Sequence, residues 1–146
     1  MGFQDHKNKI VWKLHLASPR DTVFEALTTD AGRQRFWSEK TRESGGHIEF
    51  TFLNYPTEKC KILAKQAPKL FSLIYFGTEV TFELETTEDG GTDLTMTAIT
   101  DNKALKYEMT AGWVSVLMAM KAALDFGVDL RNHHPDRTWD KGYLDN

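Results

Sequence analysis

The sequence predicts an α+β fold in which a curved antiparallel sheet of about six strands wraps around one long C-terminal helix, with two short helices after the first strand. Three observations carry this. Between residues 47 and 100, alternating apolar segments are separated by turn residues at hairpin spacing. From roughly Lys106 to Phe126 there is no proline, and Met109, Trp113, Leu117, Met120 and Leu124 recur at spacings of four, four, three and four. That is one stripe of an amphipathic helix. Finally, six strands about 4.8 Å apart make a sheet roughly 25–30 Å wide, which a single helix about 10–12 Å across cannot cover unless the sheet curls.

Each element has its own signal. Ile10-Val11-Trp12-Lys13-Leu14-His15-Leu16 alternates as a first strand, with Ile10, Trp12, Leu14 and Leu16 on one face. Ser18-Pro19-Arg20-Asp21 reads as a helix start, Ser18 capping, Pro19 first in the helix and Asp21 reciprocating. Val23, Phe24, Ala26 and Leu27 give that helix its apolar face, and a second short helix from Asp30 delivers Phe36 and Trp37. Past the Gly45-Gly46 punctuation, strands follow over 47–52, 59–65, 70–76, 79–85 and 92–100. Asn54-Tyr55-Pro56, Ala67-Pro68-Lys69 and Asp89-Gly90-Gly91 provide turns between them. Gly127 is placed to cap the long helix. The tail, 130–146, lacks periodicity, but Trp139, Tyr143 and Leu144 predict that it docks.

At 146 residues, with 40% hydrophobic and 27% charged residues, the chain reads as a single domain over 1–146, with its core at about 8–127. Eighteen basic against 21 acidic residues give a net charge of −3, which supplies no field for nucleic acid. No stretch reaches the ~18 consecutive apolar residues of a membrane span, and the polar N-terminus does not read as a secretory signal. The lone Cys60 excludes an internal disulfide framework and suits a reducing compartment. The expected location is the cytoplasm.

A curled sheet gripping a helix can leave space between them. The residues expected to line such a cavity are Trp12, Phe50, Phe52, Tyr75, Phe82 and Met96 from the sheet, Trp113, Leu117 and Met120 from the helix, and Trp37 at the mouth. Apolar walls with few polar groups suit a small hydrophobic molecule. The same stripes would serve equally as solid packing. Nothing in the pattern aims a catalytic set inward. His15, Glu49, Glu79, Glu83 and Glu85 fall opposite the apolar residues, and Cys60 has no histidine partner in view. His133-His134-Pro135-Asp136 cannot share a helical face, so no metal site and no cofactor is expected. Arg33, Arg35 and Arg42 could form a basic lip near Trp37, able to orient a carboxylate. For an enzyme, Tyr75, Tyr107 and Glu108 are the polar groups to look for inside.

The ordered run of Ser18-Pro19-Arg20-Asp21-Thr22-Val23-Phe24-Glu25-Ala26-Leu27, Trp37, Gly45-Gly46 and Ala67-Pro68-Lys69-Leu70 resembles the START-like (SRPBCC) superfamily. Val80-Thr81-Phe82-Glu83-Leu84, Gly91-Thr92-Asp93-Leu94-Thr95-Met96-Thr97 and Gly112-Trp113 extend the match, which looks closest to the branch named for the activator of heat-shock-protein-90 ATPase. The resemblance covers about residues 8 to 127. It implies a helix-grip fold with a cavity for a hydrophobic ligand, no assigned catalytic activity, and a homodimer by family habit. A polyketide cyclase or lyase using the same cavity is the alternative, and a chaperone-associated partner is a third. The eukaryotic co-chaperone carries a further N-terminal docking domain, whereas this chain has about nine residues before its first strand, so chaperone activation is not expected.

Overall fold

A computed structural model of the chain describes residues 4–146. Strand β1 (Lys9–Leu16) is followed by helices α1 (Arg20–Thr28) and α2 (Asp30–Arg33). Six further strands come next: β2 (Lys40–Ser44), β3 (His47–Thr51), β4 (Glu58–Gln66), β5 (Leu70–Tyr75), β6 (Thr78–Thr86) and β7 (Thr92–Ile99). Helix α3 (Lys103–Phe126) completes the grip, and the tail adds one 3-10 turn, Trp139–Lys141. The sheet runs β1-β7-β6-β5-β4-β3-β2, antiparallel throughout, and is curved.

The sheet therefore has seven strands, not six. The addition is β2, Lys-Thr-Arg-Glu-Ser, whose side chains are polar and of which only Thr41 is buried. As the outermost strand it needs no apolar face, so alternation cannot reveal it. Ser44 pairs with His47 across Gly45 and Gly46, whose φ angles of +57° and +77° make the two-residue turn that joins β2 to β3. Between Ile62 and Ala64 the β4–β5 register slips, a bulge of the kind that bends a strand.

The helices show how the grip is fastened. Asn102 caps α3, accepting from Leu105 N at 3.1 Å, and Gly127 ends it at φ +65°. Ser18 does not cap α1, which starts at Arg20 with no side-chain cap. Its hydroxyl reaches Asp125 at 2.7 Å, and the same carboxylate accepts from Ala17 N and Ser18 N. The residue that looked like a helix start instead ties the end of α3 to the beginning of α1. Thr29 caps α2 by accepting from Gly32 N. Arg33, expected at a basic lip, is fully buried between Asp30 (2.8 Å) and Glu43 (3.2 Å) and donates to Leu27 O. It holds α2 to β2, and no lip forms: Arg35 donates to Ala123 O and Arg42 is exposed on β2.

The core is continuous and closely filled. Ile10, Leu16, Ile48, Phe50, Phe71, Leu73, Val80, Leu94, Met96 and Ala98 on the sheet meet Trp113, Leu117, Met120 and Ala123 on α3, all buried. Among the described residues, no helix is long and apolar enough to cross a membrane.

Candidate functional site

The open space is not deep in the grip but at one end of it. A cavity of about 630 Å³ lies between the N-terminal half of α3, the turn joining β5 to β6, the chain just after β3, and the tail. Four of the expected residues border it: Trp37, Phe52, Tyr75 and Trp113. The other six do not. Phe50, Phe82, Met96, Leu117 and Met120 are buried in solid core, further along the sheet and helix. Trp12 is half-buried on β1, where its indole N–H donates to Thr110 O on α3 at 3.1 Å. The cavity's lining comes from α3, through Met109, Gly112 and Trp113, and from the tail, as well as from Trp37, Phe52 and Tyr75.

Trp37 is the hub. Its ring lies 4.8 Å from Phe50, 5.5 Å from Tyr75, 5.7 Å from Phe82 and 5.8 Å from Trp113, in tilted and edge-on geometries that aromatic pairs favour. It therefore joins the solid half to the open half. At the rim, Phe76 holds φ at +48°, a left-handed conformation that costs a bulky residue about 1–2 kcal/mol. The resulting turn stands its ring edge-on to Tyr75 at 4.8 Å and 6.1 Å from Phe52, at the cavity's edge. Turn chemistry at Phe76-Gly77 could have signalled this, since Gly77 also has positive φ (+74°).

The fourth wall comes from residues the sequence could not place. Leu130, Arg131, Trp139 and Leu144 of the tail face the cavity. Arg131 donates to Ser38 O (2.9 Å) and Gln34 O (2.6 Å), and Asn54 donates to Pro135 O. Trp139 lies over Gly112, and its indole N–H donates to Glu108 at 3.2 Å. Asp140 N donates to the Tyr55 hydroxyl, and Ser115 donates to Leu144 O. The expected docking of the tail is thus present, made mostly by polar bonds rather than by Tyr143 and Leu144, which are exposed.

The tail's first bend is charged. His133 directs Nδ1 at Glu39 (2.7 Å) and Nε2 at Asp129 (2.6 Å). The Asp129 hydrogen bond raises its pKa, burial opposes, and Glu39 adds to the rise. Burial pulls Asp129 upward, but hydrogen bonds from the Arg131 side chain and backbone and from His133 hold it at about 2. His133 is therefore spent on this clasp. No group of three or more potential metal ligands exists among the described residues.

Of the enzyme candidates, Tyr75 and Glu108 border the cavity, whereas Tyr107 is 87% exposed. Burial raises the Tyr75 pKa, so the phenol stays neutral. Burial likewise pushes the Cys60 thiol up to about 11, well away from a reactive thiolate.

Residues 17–125 match the family described as Activator of Hsp90 ATPase homolog 1-like protein. The chain belongs to this family. The match ends at the C-terminus of α3, so the tail that walls the cavity lies outside it. No curated protein matches the chain. Among solved structures it is similar to protein SSP2350 from Staphylococcus saprophyticus, with a TM-score of 0.75 and 25% identity over 84% of this chain and 96% of that one. The Aha1 dimer from Colwellia psychrerythraea gives a TM-score of 0.73 and 23% identity over 82% and 97%. CalU16 from Micromonospora echinospora gives 0.64 and 22% over 78% and 72%. These likenesses bear out the helix-grip fold and the START-like resemblance drawn from the sequence.

Proposed function

We propose that this single domain binds a small hydrophobic or amphipathic molecule in the cavity between α3, the β5–β6 turn and the tail. The observation behind the proposal is a void of about 630 Å³ walled by aromatic rings, at the end of an otherwise solid core. Its volume falls among those of small-ligand pockets, roughly 300–1,000 Å³, and its few polar groups fit an occupant held mainly by shape and apolar contact. Native mass spectrometry of gently purified protein, together with titration of 1-anilinonaphthalene-8-sulfonate, tests it. A bound mass or micromolar probe binding supports the reading, and repeated failure of both removes it.

Tyr75 and Glu108 border the same cavity, which favours an enzyme of the polyketide cyclase or lyase kind as a second reading. Catalysis there would be largely by orientation. A poly-β-ketone substrate turned over by the parent but not by Glu108→Gln, with binding intact, supports it. Equal rates in the parent, Tyr75→Phe and Glu108→Gln dismiss it. The chaperone role has only family membership behind it, and a pull-down with Hsp90 at low salt that recovers nothing disposes of it. A homodimer is proposed on Val114 and Met118, one turn apart on α3 and both exposed, which together with Leu144 also border the cavity, so that a second copy would cover its open side. Light scattering across a concentration series reads it directly. A cytoplasmic location is proposed on the composition and the lone reduced cysteine.

A further inference from the structure

The cavity wall contains more polar atoms than its aromatic character suggests, and most are already claimed by the protein. Ser115 donates to Leu144 O, Glu108 accepts from Trp139, and the Tyr55 hydroxyl accepts from Asp140 N. Arg131 is engaged by Asp129, Ser38 O and Gln34 O, and Asp145 accepts from Asn132. Short of the chain's last residue, three side chains on the wall are left over: Trp37, Tyr75 and Trp113. They are neighbours. The Trp37 indole N–H is buried with no hydrogen-bond partner. Its ring centroid is 5.5 Å from that of Tyr75, and the N–H favours negative charge on the Tyr75 oxygen. The Tyr75 hydroxyl itself donates to nothing among the described residues.

An indole N–H is a donor only, and a phenol held neutral by burial is best used as one. Buried donors are almost always satisfied, so a leftover pair calls for a missing acceptor. With the Trp37 N–H turned toward the Tyr75 oxygen, the hydroxyl proton is directed away from it, and each polarises the other when the second bond forms. The rings around the pair, Phe52, Phe76 and Trp113, offer faces and edges for a flat apolar body.

We propose that the ligand is a flat apolar molecule bearing an acceptor oxygen of the carbonyl class, which accepts a hydrogen bond from the Tyr75 hydroxyl while the Trp37 indole N–H stands behind that hydroxyl's oxygen. This rests on the binding reading above and deepens it: the Tyr75–Trp37 pair sets which apolar molecules are accepted. A hydrocarbon of the same shape forfeits the bond and leaves the Tyr75 hydroxyl unpaired, so the discrimination is larger than the apolar contact alone would give.

The test uses two flat probes of nearly one shape, 2-acetylnaphthalene and 2-isopropenylnaphthalene, which differ by C=O against C=CH₂. Their dissociation constants are measured on the full chain and on Tyr75→Phe, a change that removes one unpaired hydroxyl and no bond of the fold. The ratio of alkene to ketone constants is expected to drop by about five- to tenfold in Tyr75→Phe, the worth of one hydrogen bond. The infrared carbonyl band of bound 2-acetylnaphthalene is expected at lower wavenumber in the parent than in the variant. An unchanged ratio with both probes bound overturns this proposal and leaves the binding reading standing. Failure of both probes to bind the parent overturns the two together.

Discussion

The two halves of the grip are built from the same side-chain types and reach opposite ends. Phe50, Phe82, Met96 and Met120 are themselves buried and do not border the cavity. Around Phe52, Phe76 and Trp113 the same aromatic chemistry borders a void of about 630 Å³. Composition does not separate the two regions. What marks the open region is a wall that the other lacks: beside α3 stands a tail held in place by backbone carbonyls and ion pairs. A hydrophobic stripe records that a face is covered, not how closely.

The sharpest way to break this comparison is to truncate one ring in each half. Phe82→Ala is expected near the top of the ~3–5 kcal/mol range for buried aromatics, because its neighbours lie on all sides. Trp113→Ala is expected near the bottom, because part of its surface already faces open space. Urea denaturation measures both, and equal losses would mean that the outer half is packed as tightly as the inner. Next in size is removal of residues 130–146. The fourth wall goes with them, and affinity for 1-anilinonaphthalene-8-sulfonate should fall about tenfold, some 1.4 kcal/mol, while the unfolding midpoint of the remainder moves little.

A pH series refines the same contrast. Both nitrogens of His133 can donate to carboxylates only in the protonated ring. Its pKa is raised in the folded state, so its contribution to tail docking is complete below the ordinary 6.5 and is lost as pH climbs through the raised value. Asp129, lowered to about 2, contributes above its ordinary 3.8 and is lost as pH falls toward 2. Trp139 emission should report loosening at both ends, and His133→Gln should abolish the alkaline limb. The smallest effect concerns Cys60 on β4: buried and with its thiol raised to about 11, it should resist alkylation until the chain unfolds.

Six strands and α3 were legible because half-buried strands and packed helices leave periodic traces. β2 left none, since its polar residues serve an outer edge. Arg33 read as surface charge because sequence does not show that Asp30 and Glu43 close around it. Phe52 was placed on the apolar side by the same alternation as Phe50, and Trp113 by the same helical stripe as Leu117 and Met120, and neither period carries a coordinate for where packing ends. The wall that decides this, 130–146, has no period of its own. Some of its bonds are to backbone oxygens such as Ser38 O and Gln34 O, which every residue type offers alike.

The tail's position beyond the matched segment 17–125 separates two kinds of change. Edits to Arg131, Trp139 or Leu144 can reshape the chamber without disturbing a single strand pairing. Selectivity can thus drift on a short appendage while the scaffold stays fixed, much as a lock is rekeyed without rebuilding the door.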